Sequence, residues 1–259
     1  MTSARNIFNI RNKQDCPKMQ IFAFPNRQLI QITGADSFTF MQRIMSQDLG
    51  LLDTQPALYS CLFTAQGRYH FDFIMFKKGD ALYIDSARAP ELAARLDMYK
   101  MRAAVDIAVI KGSEVYASFE QGDFLDPRHK GLGYRLYHKP ENAEIADFTL
   151  WESKRIELGI FDGEQDAELE RSNADELHID RIHGIDWKKG CYIGQELTAR
   201  MRYRSGGKKH LYIIQGDSLP ATGDKIGAGI MRSQSGQIGL ALLRDSEIDE
   251  LPYTITKIE

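Results

Sequence analysis

The stretch Lys189-Gly190-Cys191-Tyr192-Ile193-Gly194-Gln195-Glu196 carries most of what this chain discloses about itself. It places a cysteine between two glycines, directly behind Lys188 and Lys189. Residues 195–203 read as a short helix, with Leu197 and Met201 forming an i,i+4 apolar pair. Cys191 would then sit ahead of a helix N-terminus and beside two ammonium groups, and both favour thiolate over thiol. Gly190 and Gly194 permit a tight backbone with close approach. The same cysteine also fits a plainer role, a small apolar side chain closing a turn. Local chemistry leaves both readings open.

Moving outward, charge is segregated. Residues 162–176 contain seven acids and one base, and residues 188–209 contain seven bases and one acid. Each could be a solvated face. The basic stretch could equally hold an anion such as a glutamate tail, a phosphate or a nucleic-acid backbone. The whole chain of 259 residues carries a net charge of −3, so a nucleic-acid partner is not expected. Cys16, Cys61 and Cys191 are odd in number and far apart, which suits a reducing compartment better than a disulfide framework. No Cys-x-x-Cys or His-x-x-x-His spacing occurs, and four thiolates for a self-contained cluster are lacking, so no resident metal is expected. No apolar run approaches the ~18 residues that cross a bilayer, and no membrane partner is expected.

The apolar content of 43% supports a substantial core. Residues 1–18 are polar and read as a disordered extension, with ordered structure from Met19. Residues 29–33 alternate as a strand, and Asp36 stands at an N-cap before Phe38, Met41 and Ile44. Residues 57–63, 68–76 and 81–84 form an antiparallel meander through turns at 64–67 and 77–80. Pro90 opens a helix. Strands are expected at 104–110, 115–119 and 132–137, and the longest helix over 142–160. From residue 206 the texture turns to short strands at 210–215, 236–243 and 253–258. The chain thus divides into two regions, 19–205 and a small all-β domain at 206–259. Hairpins dominate, so the class is α+β, and no Gly-rich phosphate loop follows a strand.

The Cys191 block resembles the signature of the YgfZ-type folate-binding proteins and their mitochondrial iron–sulfur assembly relatives, Lys-Gly-Cys-Tyr-x-Gly-Gln-Glu, matched here in full. Arg200 and Tyr203-Arg204 fit the residues C-terminal to that signature in many members, and Gly34-Ala35-Asp36 resembles an upstream element. Ser46-Gln47-Asp48 stands where Thr-Asn-Asp is usual. The resemblance spans residues 29 to about 243. It implies the fold of the glycine-cleavage T-protein: antiparallel-sheet subdomains around a central folate-binding hole, with a small C-terminal β-barrel-like domain.

The resemblance also implies a site. Arg155-Ile156-Glu157-Leu158-Gly159 is similar to the T-protein's pterin-binding segment, which makes Glu157 the candidate contact for tetrahydrofolate or a one-carbon derivative. A carboxylate can accept two parallel N–H bonds from a pterin, although the same residue on a long helix could be a plain surface carboxylate. Lys189, Tyr192, Gln195 and Arg200 are grouped with it as cofactor contacts. Asp72 matches the T-protein's catalytic Asp by position, with His70 as its candidate partner. With Cys191 as the reactive thiol, the resemblance implies a helper of 4Fe–4S enzymes, including those that modify tRNA. Such a helper binds folate and meets iron–sulfur proteins transiently. It would work in the cytoplasm or, alternatively, the mitochondrial matrix. A folate-dependent aminomethyl or one-carbon transferase is the competing reading, and a tRNA-binding module a third.

Overall fold

The computed structural model describes residues 18–205 and 207–258. The chain runs β1 (Met19–Ala23), β2 (Gln28–Thr33), α1 (Ser37–Ile44), β3 (Ala57–Phe63), β4 (Tyr69–Lys78), β5 (Ala81–Ser86), α2 (Ala89–Lys100) and β6 (Asp106–Val109). It continues through β7 (Tyr116–Ser118), β8 (Phe124–Leu125), β9 (Tyr134–Leu136), β10 (Ala143–Ile145), α3 (Phe148–Glu157) and α4 (Gln195–Arg200). It closes with β11 (Lys209–Gln215), β12 (Lys225–Ile226), β13 (Gly229–Ser235), β14 (Ile238–Arg244) and β15 (Thr254–Lys257). The strands make three five-stranded sheets, ordered β3-β4-β5-β2-β6, β10-β1-β7-β9-β8 and β12-β13-β14-β11-β15. The expected α+β class is what the chain adopts, and its strand pairs are antiparallel apart from β1–β10. The extension expected over 1–18 lies outside the described residues apart from Lys18, and so does Cys16.

The first sheet explains the layering. Every residue of β3 is buried, because both faces of the strand are covered. Leu58 and Leu62 join Phe71, Phe73 and Met75 of β4 on the face covered by α1 and α2, through Phe40, Met41, Ile44, Leu92 and Leu96. Ala57, Tyr59, Cys61 and Phe63 face the other way, into a core that all three sheets share. Phe22 and Phe124 enter that core from the second sheet, and Leu211 and Leu240 from the third. Side chains alternating across one strand thus separate two hydrophobic compartments.

The helix expected over 142–160 is shorter. Residues 143–145 pair in parallel with β1, and α3 starts only at Phe148, where the Asp147 carboxylate accepts a bond from Thr149 N at 3.0 Å. Ala-Glu-Ile suits either periodicity. The open edge of β1 decides for the strand, and the cap then resets the chain into a helix. In the third sheet β12 and β15 are edges, so this sheet is open rather than a closed barrel.

α3 is fastened by its buried face. Trp151 donates through Nε1 to Leu132 O at 3.2 Å. Arg155 is fully buried and donates to Ile160 O at 2.6 Å, Asp166 Oδ2 at 2.6 Å and Ser233 Oγ at 2.9 Å, and it pairs with Glu152. One guanidinium therefore ties α3 to the acidic loop and to the third sheet. Arg155→Ala would leave Asp166 buried without its counter-charge. It is expected to cost ~3–5 kcal/mol of unfolding free energy, measured by urea titration.

Candidate functional site

The Cys191 loop is held from beneath. Lys189 is buried, and its ammonium donates to Gln42 O at 2.8 Å, Met45 O at 2.6 Å and Gln47 O at 2.9 Å. An ammonium has three N–H donors, and these carbonyls at the C-terminal end of α1 take all of them. Burial pulls the Lys189 pKa down to about 8, with Asp48 and Asp186 pulling the other way, so the ammonium stays charged at neutral pH. Asp186 Oδ1 accepts from Lys188 N at 2.6 Å and Lys189 N at 3.2 Å, which tightens the turn before the cysteine. On the far side, Gly194 adopts φ +82, and a Cβ there would lie 2.4 Å from Thr64 O. The glycine is required because α4 rests against the β3–β4 turn. Between these two anchors, Cys191 is exposed.

Two expectations change here. Lys189 is an anchor for the loop, and its three donors are taken up by backbone carbonyls, which leaves none for a folate. Tyr192 is buried against Phe63, with ring centroids 6.5 Å apart, and belongs to the shared core. Burial pushes its phenol well above the usual range.

A second constellation lies where the first and second sheets meet. Asp72 Oδ1 accepts from Tyr69 Oη at 2.6 Å and Oδ2 from Tyr59 Oη at 3.2 Å. Burial, then the Asp72 charge, holds both phenols protonated, as donors must be. Phe63 pairs with Tyr69 while Leu62 pairs with Phe71, so His70 is the extra residue of a β-bulge. The bulge brings Tyr69 onto the face of Asp72. It sends His70 towards Glu170, 3.6 Å away, and His70 is not the partner of Asp72. Gly163 closes over the pair: a Cβ there would fall 2.0 Å from Tyr69 Oη and 2.1 Å from Asp72 Oδ1.

Around this carboxylate are paired charges. Arg27 Nε donates to Asp85 Oδ1 at 2.5 Å, and Tyr137 Oη to Asp85 Oδ2 at 3.2 Å. Asp126 accepts from Arg128 Nη2 at 2.8 Å and Arg135 Nε at 2.9 Å. Burial alone would raise the Asp126 pKa, but the two guanidinium groups outweigh it and hold the carboxyl well below the usual range. A cavity of about 430 Å³ opens beside this layer, lined by Phe24, Arg27, Phe148, Asp162, Glu164 and neighbours. Burial and the adjacent Asp162 raise the Glu164 pKa. The acidic loop is therefore not simply a solvated face. Asp166 is buried on Arg155, Gly163 covers Asp72, and Asp162 and Glu164 face the cavity.

The remaining candidates do not converge on this centre. Glu157 lies at the end of α3, ion-paired with Lys154 at 3.0 Å, beside Gln215, Gly216 and Thr254 of the third sheet. Gln195 opens α4, and Arg200 is exposed and paired with Glu196 at 3.2 Å. Tyr59, Tyr69, Asp85, Gly163 and Glu164 escaped sequence reading. The one local signal was a glycine inside the acidic run.

No family model matches the chain. A solved structure, the glycine cleavage system aminomethyltransferase T from Bartonella henselae, superposes with a TM-score of 0.68 at 12% identity, covering 88% of this chain and 79% of that one. The fold is that of the glycine-cleavage T-protein. In sequence, the chain is similar to proteins named mitochondrial iron-sulfur cluster assembly factor IBA57 or its homologs. The Pyricularia oryzae protein is 26% identical over 216 residues, 73% of this chain and 55% of its own length. The Mycosarcoma maydis protein is 27% identical over 235 residues, covering 76% and 58%. The Mus musculus protein is 26% identical over 289 aligned residues, covering 92% and 81%. The chain thus spans under two thirds of the length of these two fungal relatives. On this T-protein fold, Asp72 and Cys191 belong to separate places, one half-buried between two phenols and one exposed.

Lys189→Met leaves three carbonyls without their donor. It is expected to lower stability by ~1–3 kcal/mol and to change the alkylation rate of Cys191 by iodoacetamide, read by mass spectrometry under native conditions.

Proposed function

We propose that this protein is an accessory factor in iron–sulfur cluster assembly that binds a reduced folate in the cavity beside Asp162 and Glu164 and offers Cys191 to a cluster-bearing partner. The observation that carries the reading is the exposed Cys191, held on a loop whose lysine is wholly committed to the protein's own backbone. A lone exposed thiol can complete a cluster's ligand set only together with another chain. The similarity to mitochondrial assembly factors supports the cluster as cargo. It also favours the mitochondrial matrix over the cytoplasm.

The cavity fits a pterin. Its volume lies within the ~300–1,000 Å³ of small-molecule sites. Phe24 and Phe148 supply flat apolar walls, and Asp162 and Glu164 supply acceptors for pterin N–H groups. Folate bound there would bring one-carbon chemistry within the T-protein fold. A transferase is the second reading: Asp72 is half-buried, with each oxygen holding one phenol and Gly163 beside one of them, so a substrate would have to reach the remaining lone pairs. A general base needs an oxygen within reach of its substrate.

Two measurements test this reading. In cells lacking the endogenous protein, Cys191→Ser should fail to restore 4Fe–4S enzyme activity while the purified variant keeps its affinity for tetrahydrofolate. Restoration by Cys191→Ser would remove the thiol from the function. In a calorimetric folate titration, Glu164→Gln should weaken binding by about tenfold and Glu157→Ala should leave it unchanged. The reverse pattern would move the pocket to the third sheet.

A further inference from the structure

On the surface next to Cys191 is a groove that neither the folate cavity nor the thiol explains. It has a volume of about 630 Å³ between α1 and the end of α2, and it is lined by Phe40, Ile44, Tyr99, Met101 and Ile193 with Arg43 at its rim. Ile193 belongs to the same loop as Cys191, so the groove ends two residues from the thiol. Lys189 fixes that distance, because its ammonium binds the C-terminal carbonyls of α1, the helix that forms one wall.

Three features indicate what the groove receives. First, Met101 is 87% exposed and has φ +46, ψ −101, a backbone conformation that is costly for a residue with a side chain. Strain and exposure together hold an apolar, adaptable side chain out in water, and methionine suits a contact surface. Second, Arg43, which lines the groove, is exposed and makes no ion pair or side-chain hydrogen bond among the described residues. Third, Asp36 lines the groove with its carboxylate held by Ala104 N at 2.8 Å, and Lys100 pairs with Asp97 at 2.6 Å, so Arg43 is the lining cation left without a counter-ion among the described residues. An apolar floor with an unpaired guanidinium at its edge calls for an apolar anchor flanked by carboxylates.

We propose that this groove docks a segment of a partner protein that presents an apolar side chain flanked by acidic residues, and so positions the partner's cluster at Cys191. The proposal rests on the reading of Cys191 as the thiol offered to a partner. The segment buries its apolar side chain over Phe40, Ile44 and Ile193 while its carboxylates meet Arg43. Rim charges of this kind govern the rate and specificity of encounter, and the buried anchor governs residence.

The probe is a fluorescein-labelled peptide carrying a leucine and a phenylalanine flanked by glutamates, compared with the same peptide flanked by lysines, read by anisotropy on the full chain. The acidic peptide should bind and the basic one should not. Arg43→Glu should weaken the acidic peptide by about tenfold or more. Met101→Gly should also weaken it and yet raise the melting temperature, because glycine accepts the positive φ. A gain in stability with a loss of binding separates a docking role from a structural one. Equal binding of both peptides, or binding unchanged in both variants, would overturn the proposal. So would sedimentation showing self-association that Arg43→Glu abolishes, since a second copy would then cover the groove. In cells, loss of 4Fe–4S activity with Cys191→Ser but full activity with both groove variants overturns the docking site and leaves the proposed function intact. If the wild-type chain restores nothing, the proposed function fails, and the peptide measurement decides the groove by itself.

Discussion

The outer site depends on one buried ammonium. Lys189 stabilises the C-terminal end of α1, where carbonyls lack intrahelical partners and the helix dipole favours a cation. It also fastens the segment that carries Cys191. A charge buried without acceptors would cost several kcal/mol, and hydrogen bonds to a charged group contribute ~1.5–3 kcal/mol each, so all three carbonyls are needed to offset the burial. The arrangement is rigid for that reason. It sets the place of Cys191 relative to α1, and with it the relation of the thiol to the apolar groove that α1 walls.

The strand pair β3–β4 links this outer site to the inner one. One face of the pair meets α1 and α2 and supports the groove. The other carries Tyr59, Tyr69 and Asp72 towards the centre. The turn joining the two strands is the surface on which Gly194 and α4 rest. The cavity beside Glu164, the half-buried Asp72 and the exposed Cys191 therefore share a frame without sharing atoms. Asp85 joins the two sheets at the centre, accepting from Tyr137 Oη at 3.2 Å with Arg135 3.9 Å away, while Arg27 pairs with it on the first-sheet side and Asp126 pairs with Arg128 and Arg135 within the second. Such pairs need well-matched partners to offset desolvation, and they restrict how the sheets can slide.

Much of the fold was legible along the chain. β3 matches its expected span residue for residue, and the meander through β4 and β5 follows the turn residues at Gly67 and Gly79. Alternation and turn chemistry are local properties, and a window of residues holds them. The strand at 143–145 was hidden because its partner, β1, is more than a hundred residues away in sequence. β13 was hidden because its glycine and serines carry little period. The bulge at His70 was invisible as well, since a one-residue insertion changes which side chains share a face without changing composition.

The sequence by itself determined the α+β class, the hairpin frame, the lone cysteine within its glycine-bounded block and the lack of local metal-ligand spacing. Each follows from residue type and short-range spacing. Only the tertiary structure decided what the charged residues do. Lys189 reads in the sequence as a charge beside the thiol and Arg155 as the start of a pterin-binding segment, yet both are buried anchors. Glu157, which the resemblance pairs with a pterin, lies beside the third sheet, while Glu164 lines the cavity with Phe24 and Phe148. A charge takes its role from its nearest partner, and that partner is chosen by packing between segments far apart in the chain.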